Sequence, residues 1–254
     1  MILKSKDSNR PINPIALLRA RLKSIETALL FDGKAYPDAL VPMPFELIGR
    51  GFFPGGDGLW RGQSALREPS THPYPFDGIM FVGQDFGSQA RYPRPNSPWE
   101  SGNATWRFLI KRIENSGIPG VSCFFTNALL GLRKVGSTVG QNPCIANGKY
   151  MDMCRAFLAY QIEILNPRLI VIFKSVPDAV YLSLLRDRAA VDGNPNISSA
   201  FCVNRARLVL QAQHPSSDYG VINRIPPSRY HDRCNDLAQA WAIAKKALEP
   251  EIIS

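Results

Sequence analysis

The chain is expected to fold as an α/β protein, three αβα layers around a central, mainly parallel four-stranded sheet. Four short apolar, β-rich runs, at Ile79 to Val82, Val121 to Thr126, Leu169 to Phe173 and Arg207 to Ala212, carry that expectation. Stretches with apolar residues at helical spacing separate them, and strands alternating with helices imply right-handed βαβ units. The runs are near-continuously apolar, as in a parallel sheet covered on both faces.

The elements follow in order. Asn13-Pro14 is a good N-cap and first-turn pair, and Ile15, Leu18, Leu22, Ile25 and Leu29 recur at helical spacing, so a first helix is expected to about Phe31, before Asp32-Gly33. From there to Phe76 the chain is rich in Pro, Gly and aromatics and reads as ordered loop packed on the sheet. After the first strand come a helix near Asn103 to Asn115, the second strand, a helix near Lys149 to Leu165, the third strand and a helix from about Pro177 to Arg186. Arg188 to Phe201, containing Asp192-Gly193-Asn194-Pro195-Asn196, reads as a loop. The fourth strand then precedes a helix near Asp232 to Leu248.

The 254 residues suit one large domain, with residues 1–76 as a helix and Pro/Gly-rich extension on a core at 77–248. No window approaches the roughly 18 consecutive apolar residues of a membrane span. The first ten residues lack an apolar core and cleavage site, so a secretory signal is not expected and a cytoplasmic location is. Cys123, Cys144, Cys154, Cys202 and Cys234 are odd in number and contain no CxxC pair, against a disulfide framework or compact zinc site. Reduced, mostly buried thiols are expected. The net charge of +9 favours a polyanionic partner, without separating DNA, RNA and acidic membrane surfaces.

Three segments carry candidate chemistry: Val82-Gly83-Gln84-Asp85-Phe86-Gly87, Phe124-Phe125-Thr126-Asn127 and His214-Pro215-Ser216-Ser217. Each follows an expected strand, and in an open parallel sheet the carboxyl ends of the strands form the ligand-binding rim. A carboxylate, a planar amide and an imidazole would converge there. Taken alone, Asp85 suits a turn-capping residue, Asn127 a strand terminator and His214 a structural bond in a tight turn. Zinc binding by His214, His231 and Asp232 has no support from common ligand spacings.

In order and strand-end placement, these segments resemble the motifs of the uracil-DNA glycosylase superfamily, over roughly Asp77 to Leu248. Gly83-Gln84-Asp85 resembles the water-activating segment, Thr126-Asn127 the strand end that reads the base, and His214-Pro215-Ser216 the loop that completes the pocket. Cys154 to Leu158 and Asn166 to Val171 resemble the intervening helix and strand. The resemblance implies an enzyme: a monofunctional DNA glycosylase that hydrolyses the N-glycosidic bond of uracil or a related pyrimidine and leaves an abasic site.

The residue types suit that chemistry. Glycosidic cleavage develops positive charge on the sugar and negative charge on the departing base. As a carboxylate, Asp85 orients and deprotonates water and stabilises the sugar cation. A ring N–H of His214 aimed at the base O2 stabilises the leaving anion. Asn127 offers a donor and an acceptor to O4 and N3–H of the base. The resemblance also implies a stacking aromatic after Pro98, which is Trp99, with Trp106 as competitor. Gln84, Phe86 and Gly87 complete the base-binding set.

The chain departs from the family in two places. Where related enzymes continue Gly-Gln-Asp with Pro-Tyr-His, it has Phe86-Gly87-Ser88. With Gly87 in place of the Tyr, the group that rejects a methyl at base C5 is missing, unless Phe86 rotates into the gap. The early cysteine pair of the iron-sulfur families is absent and Gly131 stands at another ligand position, so no cofactor is expected.

For DNA, single- or double-stranded with a flipped pyrimidine, Tyr219, Val221 and Ile222 are available to fill the vacated stack. Ser88, Arg91, Arg94, Ser216, Ser217, Arg224 and Arg229 are candidate phosphate contacts. No Lys is placed for a Schiff base, so lyase activity is not expected. A monomer is expected, in base-excision repair. The alternatives are a glycosylase excising hypermodified, for example glucosylated, pyrimidines from phage DNA in antiviral defence, and a catalytically silent DNA-binding homologue. An α/β hydrolase or nucleotide enzyme would need a Gly-x-Ser-x-Gly elbow or a phosphate-binding Gly-rich loop, and the chain has neither.

Overall fold

The computed structural model describes residues 4, 5, 8–11, 13–45, 48, 49, 78–91, 104–134, 141–184, 186–191, 193–202, 205–215 and 227–246. Its centre is a six-stranded sheet: β1 (Ile79–Asp85), β2 (Cys123–Leu129), β3 (Leu169–Phe173), β4 (Arg186–Val191), β5 (Asn194–Cys202) and β6 (Arg205–Ala212). The order is β2-β1-β3-β6-β5-β4. The first four in that order run parallel, and β5 and β4 extend the sheet antiparallel beyond β6.

All four expected strands are present, but the count of four is corrected to six. The loop expected over Arg188 to Phe201 is instead most of the β4–β5 hairpin. Val191 pairs with Asn194 across Asp192-Gly193, and Gly193 has φ +69°. Asp-Gly in a two-residue connection is a strong hairpin signal, since both turn positions favour positive φ. The Ser and Ala of the flanking strands gave little apolar alternation to accompany it.

Both faces of the sheet are covered. Met80 and Val82 share one core with α1 (Pro14–Thr27), α3 (Gly148–Leu165) and α4 (Asp178–Leu184). Ile79 and Phe81, pointing the other way, share a second core with α2 (Ala104–Asn115) and α5 (Pro227–Lys246). This is the three-layer arrangement, with period-two alternation dividing one strand between two cores.

Local chemistry sets the helix ends. Asn13 Oδ1 accepts from Ile15 N at 2.9 Å with Pro14 in the first turn, and Asn147 Oδ1 accepts from Tyr150 N at 3.0 Å. The first helix stops at Thr27, short of the expected Phe31, because Leu29 takes φ 45° and Phe31 and Lys34 exchange backbone hydrogen bonds around Asp32-Gly33. The last helix starts at Pro227, earlier than expected, with proline in the tolerated first position. Within the Pro/Gly-rich extension, Tyr36, Leu40, Met43 and Ile48 are buried in the α1/α3 core, and Leu40–Val41 pairs antiparallel with Leu132–Arg133. The stretch 50–77 lies outside the described residues.

Candidate active site

The carboxyl ends of β1 and β2 meet in register. Gly83 is the partner of Asn127, and a Cβ built on Gly83 would stand 2.1 Å from Asn127 Oδ1. Only glycine leaves room for the amide to lie across the neighbouring strand. Asn127 is buried, and Gln84 is half-buried. Two of the three sequence segments therefore touch.

Asp85 ends β1 in a tightly bonded setting. Its Oδ1 accepts from Gly87 N at 3.0 Å, the local turn bond that a capping role requires. Its Oδ2 accepts from Arg133 Nε at 3.0 Å and Nη2 at 2.5 Å, with Asn142 Nδ2 at 3.4 Å. The Arg133 and Asp85 side chains are 6% and 7% exposed, so the ion pair is largely shielded from solvent while a small part of it stays accessible. Arg133 N also donates to Gly87 O at 2.9 Å, and Ser88 bridges Arg133, which fastens the 85–88 turn to the segment after β2. Ser88 is itself buried.

Phe86, which in the sequence had two available positions, is buried in the α1/α3 core. Gly87 takes φ +81°, a conformation that excludes most side chains. Behind this turn Tyr150 donates its hydroxyl to Leu130 O at 2.6 Å, and Cys154 Sγ accepts from Leu130 N at 3.3 Å. Burial pushes the Cys154 thiol up to about 12 and raises the Tyr150 hydroxyl, so both are neutral at physiological pH. Cys123, Cys144, Cys154 and Cys234 are buried, and none of them is in a disulfide among the described residues. Gly131, at φ +79°, packs so closely that a Cβ would meet Val41 O at 3.1 Å, a structural reason for glycine there.

His214 follows β6, whose Ala212 is the partner of Phe173 at the end of β3. Its ring meets the Phe173 ring edge-on, with centroids 5.7 Å apart at 75°. Lys174 N donates to Ala212 O at 2.8 Å, and Arg112 Nη1 donates to Gln213 O at 2.8 Å. β3 alone separates β1 from β6, so the backbones carrying Asp85 and His214 are about two strand spacings, roughly 10 Å, apart.

Other candidate positions contribute less. Arg91 closes a short 3-10 turn, Gln89–Arg91, and Arg229 is exposed on α5. Arg94, Trp99, Ser216, Ser217, Tyr219, Val221, Ile222 and Arg224 lie outside the described residues, and Trp106 is placed on α2 by its backbone alone. Among the described residues, no group of three His, Cys, Asp or Glu is arranged to hold a metal ion, and no helix is long and apolar enough to cross a membrane.

Sequence reasoning missed Arg133, Asn142 and Arg112. The only trace of Arg133 was its position as the first charge after the apolar run Ala128 to Leu132. Nothing in the sequence marked Arg112 apart from its place on an amphipathic helix. Compared with known proteins, the chain matches no family model and no curated protein.

Proposed function

We propose that this chain is a monofunctional DNA glycosylase that hydrolyses the N-glycosidic bond of a pyrimidine, with uracil the first substrate to test. The observation that carries the reading is the shared rim: Asp85 at the end of β1, Asn127 laid across Gly83 from β2, and His214 beyond β6 against Phe173. The resemblance of these three segments to the uracil-DNA glycosylase superfamily supports it.

In this mechanism the base enters between Asn127 and His214, and Asn127 pairs with its edge. Asp85 acts through Oδ1. Arg133 occupies Oδ2 with two N–H groups, whereas Oδ1 carries the single Gly87 N–H and keeps a lone pair for water. Water loses its proton to Asp85 Oδ1 as its oxygen bonds to the sugar carbon, the glycosidic bond breaks with its electron pair leaving on the base, and His214 donates a hydrogen bond to the departing base anion. The partner is DNA, attracted by a net charge of +9.

The second reading, excision of 5-substituted or glucosylated pyrimidines from phage DNA in bacterial defence, is favoured by the side chains of the 85–88 turn. Phe86 is held in the core and Gly87 presents no side chain, so neither fills the space that a C5 substituent would need. The buried guanidinium on Asp85 offsets part of the carboxylate's charge, the feature expected of a silent DNA-binding homologue.

One assay separates the three. Purified protein is incubated with end-labelled single- and double-stranded DNA carrying one uracil, a thymine mismatch, or hydroxymethylated or glucosylated cytosine, and alkali then cuts any abasic site. Cleavage at uracil, lost in Asp85→Asn, supports the first reading. Cleavage confined to modified cytosine supports the second, and binding without cleavage on the whole panel rejects glycosylase activity.

A further inference from the structure

The loop that carries His214 is undercut. Gln211, Ala212 and Gln213 form one wall of a partly open cavity of about 110 Å³, lined also by Phe81 and Phe173 from the sheet and by Arg233, Asp236 and Leu237 from α5. Apolar packing beneath the loop is therefore incomplete. Arg112 also lines this cavity, a side chain 2% exposed, and Nη1 reaches the carbonyl of Gln213, the residue immediately before His214. The two residues are 101 positions apart in the chain.

The bond falls where the sheet stops. Ala212 O is taken by Lys174 N, which among the described residues is the last backbone bond holding the end of β6 to the chain leaving β3. Gln213 O is the next carbonyl, beyond the ladder, and receives its donor from a helix on the sheet's face. The base of that donor is itself held, because Ser116 Oγ lies 2.7 Å from Arg112 O and 3.0 Å from Cys234 O on α5. A buried cation is a costly way to fill space that an apolar side chain would fill more favourably. Its geometry is what an apolar side chain lacks: a charged donor on the Gln213 carbonyl fixes the direction in which the loop departs.

We propose that Arg112 is the positioning residue of the His214 loop. From beneath, it holds the Gln213 carbonyl so that the His214 ring stays edge-on to Phe173 and faces the rim. The catalytic half of this inference rests on the glycosylase reading; the structural half does not.

The test has arms for each half. In the wild-type protein, nitrogen-15 NMR of the Arg112 guanidinium should show restricted rotation about Nε–Cζ, with separate Nη signals in slow solvent exchange. A single averaged Nη signal would overturn the proposal without any variant having to fold. In Arg112→Met, the His214 ring resonances, assigned against His214→Gln among only three histidines, should shift and broaden. Unchanged resonances in that folded variant overturn the proposal as well. On whichever DNA the wild type cleaves, kcat for base release should fall about 100-fold, with KM within about threefold, as for a misplaced catalytic group. Arg112→Lys, which keeps a charged donor, should recover part of that loss. Equal kcat in Arg112→Met and wild type overturns the catalytic half. If the wild type releases no base from any DNA, the glycosylase reading falls, and the NMR arms still decide the role of Arg112.

Discussion

Gly83 and Asp85 turn the site into measurable energies. The Cβ of Gly83→Ala would have to displace the Asn127 amide across a buried strand pair. That substitution should cost about 1–3 kcal/mol, the scale of overpacking a core, seen as a lower urea midpoint. If the proposed glycosylase reading holds, it should also reduce base release by moving the Asn127 amide. Asp85→Asn removes the negative partner of a guanidinium that is 6% exposed. Breaking a buried pair from one side should cost about 3 kcal/mol by urea denaturation, in addition to abolishing base release. The double variant Asp85→Asn with Arg133→Met should be more stable than Asp85→Asn alone, because it removes the orphaned charge. A double variant no more stable than the single one would mean that the pair does not govern stability at this turn.

At the scale of the element, helix termini and helix faces carry separable contributions. Asn147→Ala removes the acceptor for Tyr150 N at the start of α3 and should cost about 1 kcal/mol in the same denaturation assay. On α1, burial raises the Glu26 carboxyl above its ordinary value, against the lowering effect of the Tyr36 hydroxyl 3.0 Å away. A raised acid means that the folded chain holds this proton more tightly than the unfolded chain. The stability due to Glu26 is therefore present at low pH and lost as pH rises through the folded value. Glu26→Gln should raise stability at neutral pH and flatten its dependence, read from urea midpoints between about pH 4 and about pH 8. The β4–β5 hairpin is tied to α5 by Asn194 and Asn196, whose amides donate to the two oxygens of Asp236 at 2.7 and 3.2 Å.

For the whole molecule, strand order decides what can meet. With β1 between β2 and β3, the chain runs from β1 to β2 on one side and crosses back to β3 on the other, which opens the rim beside β1. The antiparallel β5 and β4 lengthen that rim beyond His214, because the β4–β5 turn lies at the same end of the sheet as the end of β6. A chain of net charge +9 presenting that rim to DNA should bind with log affinity falling linearly in log salt concentration. For six phosphate contacts the slope is about −5, measurable by fluorescence anisotropy over a salt series. A slope near zero would remove DNA as the polyanionic partner.

The parallel half of the sheet was legible in the sequence because each strand is an apolar run divided between two cores, a local pattern that no distant contact has to supply. Asp85 and His214 were legible for the same reason as residues at or just past a strand end, whereas Asn127, expected to follow its strand, lies within it, two residues before Leu129. Tertiary structure alone decided what surrounds them. Arg133 reaches Asp85 across 48 residues and Arg112 reaches Gln213 across 101, and no periodicity encodes which buried cation a folded chain will bring to a given carboxylate or carbonyl. Phe86 offered the same apolar ring to core or pocket, and packing against the α1/α3 layer placed it in the core. The Asp192-Gly193 pair is a local hairpin signal, but the hairpin's place in the sheet is set by tertiary pairing: β5 docks on β6, and β4 docks on β5. Local pattern sets which faces are buried, whereas the crossing of distant segments sets which polar groups meet there.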